Sequence, residues 1–423
     1  MFQGQDKLLE DDAKAACKYG AKCYQKNPEH HKKYKHPQVV KRKFNSPESQ
    51  QDSKKPKNDV VRDEASLPSK SDDSSINAKN DSEKVPGSTD TEIILLKDIR
   101  FHDKTTDQKV FKQLFLVDMP SDFFKFYECL KQEDQSLEKV LSNCNLELIG
   151  PFDLLSGKLP VLDNEDHYLI HWRFYYDVPE FQAILKQKGN SQYHIGYYRD
   201  SPTEDPVFLA SNDCSKDCKL TPIATNIFAA VYLHLQNEKK KSPFVSIACQ
   251  KLMDKIKKWA EKLEYSLDKF DMKKRQSQMT TKTFHGAGIV VPYDKKTKVG
   301  YRPLVETDVQ LHKMFKRLES ATEQEVKDKV LSELQPVITY ANIAVDECDF
   351  GTGLEAGVNL FCSGLKELEP SALSSLCAVY PLLNRHAYSK IIQVKSVDII
   401  CNEYSQQKVV NIPIFHNRDF LLF

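Results

Sequence analysis

The stretch Ala344-Val345-Asp346-Glu347-Cys348-Asp349-Phe350-Gly351-Thr352-Gly353-Leu354-Glu355 follows the apolar run Val337 to Val345 and sets three acids within four positions. Its Gly-Thr-Gly predicts a flexible loop before the next apolar run. Carboxylates placed where a hydrophobic segment gives way to a loop are held by a rigid element yet remain reachable, as a general base must be. The same residues also read as a solvated helix cap. A calcium loop is excluded, because Cys348 and Phe350 stand where it needs oxygen ligands.

Outward from this stretch lie HWRFYYDVPEF (171–181), YHIGYYRDSP (193–202), NIFAAV (226–231) and TKTFHGAGIVVPYDKKTKVGYR (281–302). With DECDFGTGLE (346–355), and in this order, they resemble the histone PARylation factor family over residues 110–392. Such proteins dock on poly(ADP-ribose) polymerases and lend them a catalytic carboxylate. The resemblance implies that Glu347 is a general base for serine hydroxyls of histones and other chromatin proteins, in the DNA-damage response. NAD would be bound by the partner polymerase and not by this chain. The resemblance also makes Asp346, Asp349, Tyr301 and Arg302 partner and substrate-site residues. Two other readings stand beside it. One is a poly(ADP-ribose) reader with a purely scaffolding globular part. The other is a stand-alone hydrolase or transferase using the acids and His285, which the lack of a nucleotide-binding fingerprint disfavours.

The chain has 423 residues, with 61 Lys and Arg against 60 Asp and Glu, so global charge predicts neither nucleic-acid nor membrane attraction. No apolar leader opens the sequence and no uninterrupted apolar span approaches the ~20 residues of a membrane helix. Eleven cysteines without framework spacing read as reduced thiols and metal ligands in a reducing compartment.

Residues 17–37 read CKYGAKCYQKNPEHHKKYKHP. Cys17, Cys23, His30 and His36 offer two thiolates and two imidazoles, a donor set that suits tetrahedral zinc. Their spacing resembles the PBZ finger, a small zinc module that binds poly(ADP-ribose). That resemblance makes Tyr19 and Tyr24 stacking faces, and it places Gln25 where the family has an arginine. Too short to bury a core, the segment would owe its folding to the metal. From residue 39 to 92 the composition turns to Ser, Asp, Lys, Asn and Pro, which predicts a disordered linker. Within it, Lys41-Arg42-Lys43 and Lys54-Lys55-Pro56-Lys57 have the layout of a bipartite nuclear-import signal, pointing to nucleus and chromatin.

The remainder predicts an α+β protein: a mixed α/β domain over 93–235, a mainly helical domain over 236–394 carrying the acidic stretch, and a tail over 395–423 of no assigned role. Helices are expected over 111–130, broken at Pro120-Ser121, and over 226–235, with strands over 167–176, 192–198 and 206–209. Ser242-Pro243 reads as a helix start. Thr307 with Gln310, and Thr322 with Glu325, read as capping boxes. Pro336 is expected to interrupt the second of those helices, and 373–392 to form the last long one. Cys214 and Cys218 could be half a metal site, but no second pair lies nearby. His285 reads as a satisfied buried histidine.

Overall fold

Five antiparallel strands in sequential order form the central sheet: β1 (Leu146–Leu148), β2 (Phe181–Gln187), β3 (Tyr193–Tyr198), β4 (Phe208–Asp213) and β5 (Thr221–Ala224). This computed structural model describes residues 100–131 and 137–405, together with two short strands, Ala15–Ala16 and Tyr34–Lys35. The latter pair in parallel within a separate N-terminal unit, Met1–Thr89. The zinc ligands and polymer-binding residues predicted there (Cys17, Cys23, His30, His36, Tyr19, Tyr24 and Gln25), the linker and the end of the tail lie outside the described residues.

Four helices precede or interrupt the first strands: α1 (Gln108–Phe115), α2 (Ser121–Lys131), α3 (Leu137–Ser142) and α4 (Pro151–Ser156). After the sheet come α5 (Ile227–Lys241), α6 (Pro243–Lys262), α7 (Met272–Gln278), α8 (Asp308–Ser320), α9 (Gln324–Asp346), α10 (Phe350–Cys362), α11 (Glu369–Leu382) and α12 (His386–Ser405). No helix among the described residues is long and apolar enough to cross a membrane.

Successive strand side chains point to opposite faces, and both faces here are buried. Ile195, Tyr197 and Leu209 face a core shared with α1, α2, α5 and α6. Tyr198, Phe208 and Ala210 face a second core shared with α8 to α12. The cross-strand pair Tyr198–Phe208 stacks at 4.9 Å between centroids, and burying each ring is worth roughly 1.5–3 kcal/mol. The expected domain boundary at 235/236 falls inside α5. Its successor α6 packs back on it through Cys249, Leu252, Met253 and Ile256, all in the first core. Residues 90–423 form one unit around a sheet covered on both sides.

Other expectations are corrected by particular contacts. Residues 167–176 form no strand: a 3-10 turn over Glu165–Leu169 is followed by Trp172 at φ 56°. Here Arg173 satisfies the carbonyls of Leu169, Val178 and Phe181, and the strand is the next segment, β2. Pro336 lies inside an unbroken α9, which starts at Gln324 with no Thr322–Glu325 box. The last predicted helix is two, because Asn384 at φ 58° ends one before the other starts. The Thr307–Gln310 capping box is present.

The segment 281–302 crosses from the sheet to the helices and is fastened along its length. His285 O accepts from Leu220 N at 2.8 Å, and Phe284 N donates to Asn359 Oδ1 on α10 at 2.9 Å. Tyr198 Oη donates to Gly288 O at 3.0 Å and Arg385 to Val290 O at 2.6 Å. Arg275, buried on α7, reaches Ala287 O while clasping Asp200 through two bonds of 2.6 and 2.7 Å. A bidentate Arg–carboxylate pair of this kind fixes direction as well as distance.

Candidate functional site

Helix α9 ends in the acidic stretch. Cys348 takes a left-handed backbone at φ 72°, Asp349 N donates to Ala344 O at 2.8 Å and Cys348 N to Val345 O at 3.0 Å. This is a Schellman closure with cysteine where glycine is usual. It turns the chain abruptly into α10, so Gly351, Thr352 and Gly353 are not a flexible loop: they form the buried first turn of that helix. Asp346, Glu347 and Cys348 are exposed, whereas Asp349 is buried.

The end of the 281–302 segment lies against this turn. Gly300 N donates to Asp349 Oδ1 and Gly351 N donates to Gly300 O, both at 2.8 Å. Arg302 N donates to Thr352 Oγ1 at 2.9 Å, and the Thr352 hydroxyl donates back to Arg302 O at 2.6 Å. Gly300 permits this approach at φ 112°, where a Cβ would collide with Pro292 O. A Cβ on Gly351 would come within 2.9 Å of Gly300 O.

On that backbone frame Arg302 reaches outward. Its Nη1 donates to Glu347 Oε2 at 2.6 Å, and its Nε stands 3.5 Å from Asp349 Oδ2, an ion-pair contact with no hydrogen bond closed on that nitrogen. The guanidinium also lies over the Tyr340 ring, 5.0 Å from its centroid. The Glu347 side chain remains 58% exposed despite its bond, so this carboxylate is positioned and accessible together. Ile343, one turn before Glu347 on α9, and Val305 and Val309, beyond Arg302, are exposed apolar side chains.

Thus Glu347, Arg302, Asp349 and Tyr301 converge, with Asp346 on the adjoining exposed turn. Gly300, Thr352, Tyr340, Thr281 and Glu355 also build the site; the last two are joined by a 3.0 Å hydrogen bond, and none of the five carried a signal of its own. His285 is buried. Its Nε2 lies 3.0 Å from Thr283 Oγ1 and its Nδ1 accepts from Ala287 N at 3.1 Å. Burial, aided by Arg275, pushes its pKa down to about 3, and the same burial keeps the ring away from any substrate hydroxyl.

Cys214 does not pair with Cys218. It lies near Asp177 and His194, the ligand atoms all within 4.8 Å, but each has a partner already. His194 bonds Asp177 Oδ1 and Gln192 O, both at 2.9 Å, and Cys214 Sγ donates to Asn212 Oδ1. The buried Lys395 ammonium donates to the Asp177 carbonyl and brings a cation of its own.

Residues 14–38 match the PBZ domain model, and residues 106–396 match that of Histone PARylation factor 1. The chain is 38% identical to Histone PARylation factor 1 of Mus musculus over 294 residues, 68% of this chain and 85% of that protein. It is 38% identical to the Danio rerio protein of the same name over 288 residues, 67% of this chain and 82% of the relative. With both its acidic turn and the arginine that clasps it inside the matched span, the chain belongs to the histone PARylation factor 1 family.

Proposed function

We propose that this protein docks on the catalytic domain of a poly(ADP-ribose) polymerase and completes its active site for transfer to serine. The polymerase binds NAD. Glu347 takes the proton from a serine hydroxyl, the serine oxygen forms the bond to the ribose carbon, and nicotinamide leaves with the electron pair of the broken bond. A serine hydroxyl is barely ionised at neutral pH, and a positioned base contributes about 10²–10⁴-fold. The observation that carries this reading is the exposed Glu347 carboxylate on a frame closed by the Gly300–Asp349 and Arg302–Thr352 bonds.

Arg302 neutralises Glu347 in the free protein. In the joint site the guanidinium turns to an anionic group of the polymerase or its substrate and frees the base. Asp346 and the apolar Ile343, Val305 and Val309 supply the docking rim, and the buried Asp349 holds the frame. Histones, named in the relatives, are the proposed acceptors; the protein then works at chromatin in the nucleus, imported through the clusters 41–43 and 54–57.

The N-terminal finger binds zinc and poly(ADP-ribose). Two thiolates and two imidazoles fit the ion, and the paired strands Ala15–Ala16 and Tyr34–Lys35 lead directly in the chain to Cys17 and His36. Bound zinc would supply the folding free energy of this small module. Tyr19 and Tyr24 stack on adenines, and Gln25 hydrogen-bonds where an arginine would add charge.

Serine transfer by the polymerase with saturating Glu347→Gln tests the catalytic reading, with binding measured on the same preparation. Transfer is expected to collapse by about 10²-fold or more while docking survives. Near-normal transfer by the bound variant would sink the catalytic assignment and leave the acidic stretch as an interface or a helix cap.

A further inference from the structure

Behind Tyr301, on the second turn of α10, the carboxyl of Glu355 is 5% exposed. Its Oε1 accepts from Thr281 Oγ1 at 3.0 Å. The Tyr301 hydroxyl faces the same carboxyl and the Thr281 hydroxyl, yet Oε2 is buried with no hydrogen bond closed on it. Among the described residues no cation answers this acid, and the ionisable groups that act on it are Tyr301 and, at the start of α8, Asp308. Such an arrangement has no value as an ion pair and is costly to bury. What it does have is two hydroxyls from two ends of one segment, 281–302, converging on one carboxyl.

We propose that Glu355 is a positioning residue: it ties both ends of the 281–302 segment to α10 and thereby sets where Tyr301, and Arg302 beside it, meet the partner. As a carboxylate it can accept from Thr281 and Tyr301 together. Once protonated, one of its oxygens carries a proton and turns donor, so its capacity to accept from Thr281 and Tyr301 together is reduced. Burial pushes this acid up to about 7, against the opposing pull of the Thr281 and Tyr301 hydroxyls and with some help from Asp308. The hold on Tyr301 is therefore tight above neutral pH and loosens below it. The inference rests on Tyr301 and Arg302 being partner-site residues, as the family resemblance implies, and not on Glu347 being the base.

The test uses the full-length protein and the polymerase between pH 6 and 9. Stimulation of serine transfer is normalised to the polymerase's own automodification at each pH, and the affinity of the two proteins is measured in parallel. Wild type is expected to lose stimulation or affinity with a midpoint near pH 7. Glu355→Gln, locked in the donor-bearing form, should flatten that dependence and sit about 3- to 10-fold below wild type at pH 8. Tyr301→Phe combined with Glu355→Gln should cost no more than Tyr301→Phe alone, as expected of groups acting as one unit. Thr281→Val keeps the acid but removes an acceptor bond that favours its ionised form, and should move the midpoint upward by about half a pH unit or more.

Superimposable pH profiles for wild type and Glu355→Gln in both assays would overturn the proposal. So would a loss that is uniform across pH, tracks a lowered melting temperature and is additive with Tyr301→Phe. If Glu347→Gln retains full transfer, the catalytic reading fails and the affinity arm still decides on Glu355.

Discussion

Arg302 Nη1 and Glu347 Oε2 lie 2.6 Å apart, although 45 residues of chain separate them. The same guanidinium touches Asp349 at 3.5 Å and caps the Tyr340 ring. A lysine cannot span these three partners from one planar head. Arg302→Lys is therefore expected to leave the melting temperature within about 2 °C and to lower stimulation of the polymerase at least about 10-fold. Titrating the variant against the polymerase and assaying transfer at saturation checks this.

Cys348 occupies the left-handed position of the turn at φ 72°. Non-glycine residues pay roughly 1–2 kcal/mol there, and β-branched ones more. Cys348→Gly should leave stability unchanged or raise it by up to about 1 kcal/mol, while Cys348→Val should lower it by about 1–2 kcal/mol. Denaturant midpoints of the two variants give the comparison.

Gly300 carries a φ of 112° and touches both Asp349 and Gly351 through its backbone. Gly300→Ala forces a Cβ against Pro292 O and should cost about 1–3 kcal/mol of stability. It should also detach Arg302 from the acidic turn. The expected signature is a lowered melting temperature together with loss of stimulation, whereas Arg302→Lys loses stimulation alone.

His285 and Glu355 bend the stability–pH curve in opposite directions. The histidine falls from 6.5 to about 3 on folding, so its contribution is fully present above pH 6.5 and is lost as pH drops toward 3, up to about 5 kcal/mol in all. The glutamate rises from 4.5 to about 7, so its contribution is present below pH 4.5 and is lost as pH climbs toward 7, up to about 3 kcal/mol. Glu355→Gln should therefore steepen the net rise in stability between pH 5 and 7, and denaturant melts at half-unit intervals would show it.

Removing the finger's metal should leave the globular unit unchanged. Cys23→Ala, or a chelator, is expected to abolish zinc content and weaken poly(ADP-ribose) binding by about 10-fold or more. Serine-directed stimulation in a purified assay should be preserved. Metal analysis and a polymer-binding titration on the same sample check both halves.

Local chemistry makes some elements readable from the sequence. The Thr307–Gln310 box is decided by residues three apart, and the helix expected from Asn226 is present, with Asn226 found as its cap. By contrast β2, FQAILKQ, is buried on both faces and shows no alternation, so the aromatic run before it drew the strand assignment instead. Pro336 misled because it sits well inside a 23-residue helix that packing keeps continuous through Leu334, Val337 and Ala341. At the site, Glu347 and Arg302 were reached through family resemblance. Thr352, Tyr340 and Glu355 have no local mark, because their roles exist only once α9, α10 and the 281–302 segment have met.

The acidic turn joins the end of one helix to the start of another, and the peptide dipoles of both converge on it. Roughly half a negative charge gathers at the C-terminus of α9 and half a positive charge at the N-terminus of α10. Asp349, flanking α10, sits at the favourable pole, whereas Asp346 and Glu347 sit at the unfavourable one. The backbone thus crowds negative charge at the spot where Arg302 is the resident counter-ion. On the proposed reading, a partner that draws Arg302 away would leave a field seeking positive charge, and a proton leaving a hydroxyl there would move down that gradient.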